Sequence, residues 1–211
     1  MSRAPDLRNE RRVVTRRAIS RAADRLFLEK GFDNVTVDEI AAAAAVGRMT
    51  VFNHFPRKED MFFDRDEEGR ETLREALRDR NADVSPIETL RLLAHRLADE
   101  APYLEFTHRS QDFVATVAGS ETLKARARAI RDELAQVVAQ GLADAVARDP
   151  SDPHAQLGGS MVLAVWSVAF LDAHRILREF GDSGKAKAAF LAIVDRGSRG
   201  LAEAMAGTPY A

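Results

Sequence analysis

The chain has 211 residues, 45% of them hydrophobic, no cysteine and a formal net charge of −2. These values exclude a disulfide framework, a thiolate zinc site and wholesale disorder, and they do not mark a generic nucleic-acid binder. The charge is uneven, however: residues 1–25 hold eight arginines against three acids. A basic end on a mildly acidic body implies that one end alone meets an anionic partner.

Apolar residues recur with helical period almost everywhere, and no segment alternates as a strand does. The expected fold class is therefore all-α. The first helix carries the stripe Ile19, Ala22, Ala23, Leu26 and Phe27, with Thr15 as its expected N-cap and Gly31 as a left-handed terminator. Thr36-Val37-Asp38-Glu39 has the form of a capping box, and Val35 and Ile40 are placed for a hydrophobic staple. A second helix thus starts at about 37 and runs into five alanines. A short third one covers about 48–54 and stops before Phe55, which precedes Pro56. A fourth, highly charged helix begins near Lys58, anchored by Leu73 and Leu77; helices this polar bridge modules.

Further helices are expected at about 86–99, 102–118, 121–147, 154–180 and 184–206, separated by proline- and glycine-containing breaks. The most apolar run, residues 161–171, is too short to span a bilayer, which takes about 20 helical residues, so it reads as a buried helix with no membrane partner. No apolar stretch of signal-peptide length opens the chain, and a cytoplasmic location is expected. The domain plan is a basic arm and small helical domain at 1–57, a connecting helix at 58–84, and a larger helical domain at 85–211.

Two short helices joined by a tight turn have the form of a helix-turn-helix. Ala41 falls where the two helices cross, and Val46 and Val51 point back to the core. Arg48, Met49, Thr50, Asn53 and His54 are left facing outward. Arg pairs bidentately with guanine, Asn with adenine, and Met or a Thr methyl touches thymine. Thr36, His54 and Lys58 are candidate phosphate contacts. Met49 is equally readable as a packing residue, and His54 as a structural one.

The set "LFLEKGF", "TVDEIA", "FNHF" and the following "KED", in this order and spacing, resembles the tetracycline-repressor (TetR) family of bacterial regulators. The resemblance covers about residues 15–65. It implies a homodimeric repressor, an N-terminal domain that binds a near-palindromic operator in double-stranded DNA, and a helical domain whose small-molecule effector weakens that binding. No cofactor is implied. The chain departs from the family at Ala45-Val46-Gly47, where Gly-Val-Ser is common, at Phe52, where Tyr is common and its hydroxyl offers a phosphate contact, and at Asn53, where an aromatic residue is frequent.

Phe106 and Phe113 share one face with Tyr103, Ser110 and Val117, and Trp166 and Phe170 share another. All are candidates for lining an apolar effector pocket, and ordinary core is the competing reading. Phe190, Ile193, Val194, Gly197, Leu201 and Met205 have seam-like spacing, which places the dimer interface on helices 154–180 and 184–206, unless that face packs inside its own subunit. The five histidines (54, 95, 108, 154 and 174) show no metal-ligand spacing, and neither a phosphate loop nor a nucleophile elbow occurs, so no metal or catalytic residue is expected. The alternatives are a regulator without a ligand and a protein-binding adaptor, with an enzyme the weakest.

Overall fold

A computed structural model describes residues 7–100 and 106–211. Among these there are ten α-helices and no strand: α1 (Leu7–Lys30), α2 (Val37–Ala43), α3 (Arg48–His54), α4 (Glu59–Phe62), α5 (Asp66–Arg78), α6 (Pro86–Asp99), α7 (His108–Gly119), α8 (Glu121–Ala145), α9 (Pro153–Phe180) and α10 (Ser183–Ala204). The chain divides into two compact units. The first comprises residues 1–65 with 118–124, and the second 66–117 with 125–211. Residues 58–65 therefore group with the helix-turn-helix, as does the α7–α8 junction.

The first unit is built on the stripe of α1. Ile19 and Ala23 are fully buried, and Leu26, Phe27, Phe32, Val35, Ile40, Val51, Phe55 and Met61 complete the core. Gly31 ends α1 in the left-handed region with its N–H on the Phe27 carbonyl, and the Phe27 and Phe32 rings pack 5.0 Å apart. Thr15 is not the N-cap expected of it. Helix α1 already runs from Leu7, because residues 7–14 contain neither Gly nor Pro and include several good helix formers.

The helix expected from Lys58 onward is two helices. Phe63 leaves helical backbone (φ −101, ψ 40), and the Asp64 carboxylate accepts the Ser20 hydroxyl of α1. Asp66, Glu67 and Glu68 then favour a fresh helix start, since carboxylates stabilise the positive end of the dipole. Likewise α7 begins at His108, after the non-helical Phe106 and Thr107. The Thr107 hydroxyl accepts the Ser110 N–H and the Ser110 hydroxyl accepts the Thr107 N–H, a reciprocal cap. Tyr103 lies outside the described residues.

In the second unit one cluster joins Leu73 and Leu77 of α5, Leu90 and Leu93 of α6, Leu142 of α8 and Val162 of α9. Leu201, Met205 and the near-terminal Tyr210 close it. A second cluster holds Ala94, Phe106, Ala169, Ala173, Leu177, Phe190 and Val194. Helix α9 has 28 residues, so by length and composition it is able to cross a membrane, unlike the short apolar run considered alone. Its Val162, Ala169, Ala173 and Leu177 are instead buried within this unit.

The seam expected on α10 is largely internal. Phe190, Val194 and Met205 are 0% exposed and Leu201 1%. A Cβ at Gly197 would stand 2.4 Å from Val165 Cγ2, so this glycine seats α10 on the α9 of its own chain. The exposed apolar row is on α9: Leu157, Ala164, Val168 and Leu171, with Met161 half-buried among them. Their spacing of four, three, four and three residues is a heptad stripe.

Candidate nucleic-acid interface

Helix α2 is started by the capping box. The Thr36 hydroxyl accepts the Glu39 N–H (3.2 Å), and the Glu39 carboxylate accepts the Thr36 N–H (2.9 Å) and hydroxyl (2.9 Å). Lys30 adds a 2.6 Å ion pair to the same carboxylate. The Lys30 hydrogen bond, followed by those from Thr36, lowers the Glu39 pKa to about 2. The Thr36 hydroxyl, a candidate phosphate contact, thus stands committed inside the cap.

The turn that aims α3 bends at Ala45, a non-glycine residue at φ 53, in the left-handed region. Val46 donates its N–H to the Ala41 carbonyl (3.0 Å), which closes the turn against the buried Ala41. Gly47 is the N-cap of α3 with no side chain to bond the first turn. The inward Val51 is fully buried, while Val46 is half-buried. Arg48, Met49 and Asn53 are exposed, Met49 to 70%, and Thr50 and Phe52 are half-buried beside them.

Arg48 pairs with Asp38 of α2 at 2.8 Å, with both side chains more than half exposed, and its guanidinium lies 5.5 Å from the Phe52 ring centre. An exposed pair of this kind contributes about 0–1 kcal/mol, so the guanidinium can exchange Asp38 for a base edge or a phosphate. Asn53 and Met49 need no rearrangement to reach outward.

His54 and Lys58 are held differently. The His54 Nδ1 is buried without a hydrogen-bond partner. Burial, and then the charges of Arg12 and Arg16, lower its pKa, which keeps the ring neutral at pH 7. Its backbone carbonyl accepts a 2.7 Å hydrogen bond from Arg16, whose guanidinium also lies 4.0 Å from the Phe55 ring centre. The Lys58 ammonium donates to the Phe32 and Val35 carbonyls, both at 2.9 Å, and sits 4.3 Å from the Phe32 ring centre. Two of its three N–H groups therefore brace the α1–α2 turn.

Sequence reasoning missed Arg16 as a positioning residue. The signal was present, because residues 16, 19 and 23 share the inward face of α1. It also missed Ser120, 3% exposed, whose hydroxyl donates to Asp33 at 2.9 Å within the first unit. Nothing local in sequence links those two positions.

Among the effector-pocket candidates, Phe106 is 5% exposed and belongs to the second core cluster, with Trp166 and Phe170 packed against it. Phe113 is 37% exposed and not part of that cluster. The polar member is His174, whose Nδ1 lies 2.9 Å from the Phe170 carbonyl and Nε2 3.0 Å from the Ser110 hydroxyl.

A small unit with an outward-facing polar recognition helix, followed by a larger helical unit, defines a two-unit helix-turn-helix regulator. Residues 19–64 match the profile of the bacterial regulatory proteins of the tetR family, so this stretch is a DNA-binding domain of the tetR type. Solved structures align along most of the chain. Thermus thermophilus FadR, a TetR-family transcriptional repressor in complex with lauroyl-CoA, is 27% identical (TM-score 0.55), over 90% of this chain and 94% of that one. A putative TetR-family regulator from Mesorhizobium loti is 18% identical (TM-score 0.57; 92% and 98%). NalD of Pseudomonas aeruginosa, the secondary repressor of the MexAB-OprM multidrug efflux pump, is 23% identical (TM-score 0.56; 88% and 96%). Among curated proteins none matches.

Proposed function

We propose that the protein is a homodimeric, cytoplasmic transcriptional repressor that binds a near-palindromic operator and is released by a small-molecule effector. The observation that carries this reading is the outward face of α3, where Arg48, Met49 and Asn53 project from a helix locked in place by Val51 and Phe55. Arg48 and Asn53 read base edges, Met49 contacts a thymine methyl, and Thr50 and Phe52 border the phosphate chain. Lys58 and the arginines of α1 supply sequence-independent attraction.

Dimerisation uses the heptad stripe of α9, Leu157 to Leu171, paired with its copy. Two recognition helices then stand about one DNA turn apart, roughly 34–36 Å. An effector with an apolar portion acts on the second unit. The complex of the FadR relative with lauroyl-CoA supports that ligand class. Coupling runs along the chain where it passes between units, at residues 65–66, 117–118 and 124–125.

Binding to a mixed pool of duplexes about 30 base pairs long, followed by fluorescence anisotropy at rising salt, tests the DNA-binding part. The expected result is affinity that falls steeply with salt and is weakened by Arg48→Glu. Absence of binding at low salt removes the proposal.

A further inference from the structure

A cavity of about 730 Å³ lies between α5 and α8 in the second unit, with the 80–82 segment at one end. Small-molecule sites occupy roughly 300–1,000 Å³, so this one holds a ligand of ordinary size. Its floor is apolar: Leu77 (2% exposed), the half-buried Val137 and Ala145. The floor is also fixed in shape. A Cβ at Gly141 would stand 2.6 Å from Leu77 Cδ1, so α5 touches α8 at this pair and a larger residue there would part them.

The rim carries exposed arginines already paired with acids: Arg74 bonds Glu67 at 2.9 Å and Arg78 bonds Asp79 at 3.2 Å. Arg74 and Arg78, one helical turn apart on α5, share the Glu71 carboxylate at 3.3 and 3.6 Å, and all three side chains are 42–59% exposed. Ion pairs this exposed are weak, so an incoming anion can take the place of Glu71 between the two guanidiniums. Arg80 has a different part. Its guanidinium donates to the carbonyls of Asn81, Ala82, Val84 and Ala145, which makes it wall. The acid on the α8 side, Asp144, is bonded by Gln140 at 2.8 Å.

We infer that this groove is the effector site of the proposed regulator and takes an amphipathic anion. The apolar body of the ligand lies on Leu77, Val137 and Ala145, and its carboxylate or sulfonate is held by the Arg74–Arg78 fork in place of Glu71. The inference rests on the ligand-responsive reading and names the chemical class of its effector. The same two helices are joined nearer the start of α5, where Arg70 bonds both Asp66 and Glu133, and Arg126 bonds Glu133. A ligand seated between α5 and α8 therefore acts on the helix that directly follows the DNA-binding unit in the chain.

The test uses the full-length dimer and the fluorescent anion 8-anilinonaphthalene-1-sulfonate, with decanoate and decanol as competitors. Expected are saturable binding of one probe per chain, displacement by decanoate but not by equimolar decanol, and at least tenfold weaker binding in the Arg74→Ala/Arg78→Ala double variant. Glu71→Gln removes the resident carboxylate and is expected to tighten binding several-fold, a change that a merely structural role does not produce. Gln140→Trp, an exposed substitution, fills the groove and abolishes binding. Probe binding unmoved by these variants, or decanol competing as well as decanoate, overturns the groove assignment. If operator binding persists in that case, the regulator reading stands; failure of the wild type to bind any DNA sinks that reading whatever the groove does.

Discussion

Arg16 of α1 donates a 2.7 Å hydrogen bond to the backbone carbonyl of His54, the last residue of the recognition helix. The carbonyls of a helix's final turn lack partners within the helix, and here a cation supplies one at the negative end of the dipole. The guanidinium also covers the Phe55 ring. Arg16→Ala is expected to cost about 1–3 kcal/mol through the lost charged hydrogen bond and ring contact. Thermal melting and operator affinity should fall together, and a variant that binds normally removes Arg16 from the positioning of α3.

The turn before α3 is under local strain. Ala45 sits at φ 53, where a Cβ costs roughly 1 kcal/mol relative to glycine. Ala45→Gly should therefore raise the stability of the first unit by up to that amount. Gly47→Ser should add a few tenths of a kcal/mol more by capping α3, since a Cβ there meets nothing closer than 3.9 Å. Chemical denaturation of each variant against wild type measures both.

Base reading and backbone bracing should separate by mutation. Asn53→Ala is expected to relax preference at one base pair per half-site, by about 1–3 kcal/mol, with stability unchanged. Lys58→Ala should weaken binding to all sequences, reduce the salt slope and also lower the melting temperature, because two turn carbonyls lose their donor. A Lys58 variant with normal melting contradicts the bracing role.

His174 makes the second unit sensitive to acid. A carbonyl only accepts, so Nδ1 carries the proton toward Phe170, and Nε2 lies 3.0 Å from the Ser110 hydroxyl. Burial lowers the pKa of this ring below its ordinary 6.5. The unfolded chain then takes up the proton first as pH falls. The contribution of His174 is whole above about pH 6.5 and declines below it. Melting temperature should drop between pH 7 and 5 in the wild type and less so in His174→Gln.

Val168→Glu on the exposed stripe of α9 should yield folded monomers in sedimentation, with loss of operator affinity. By contrast Ile193→Glu, on the half-buried side of α10, should lower stability first. Dimers that persist in Val168→Glu place the interface elsewhere.

What was legible in the chain was local. The Thr36–Glu39 box, the termination of α3 before Pro56 and the inward Val51 all depend on residues within a few positions of one another. Periodicity on α10 picked out Phe190, Val194 and Leu201 as a seam for a second subunit, whereas they are buried within their own unit, because periodicity names a face and not the neighbour that covers it. The packing of Gly197 against Val165 is a tertiary fact. Long cations were the least legible. Lys58 and Arg48 occupy similar positions in a motif, yet one is turned onto carbonyls and the other onto an exposed carboxylate, and only the folded turn decides which.

The most direct test is selection of bound sequences from a random duplex pool by the purified protein at stated salt. A two-fold symmetric motif is expected, with half-sites about one helical turn apart and altered by Asn53→Ala. Salt-sensitive binding with no motif would contradict sequence reading by α3, and no binding at all would contradict the regulator itself.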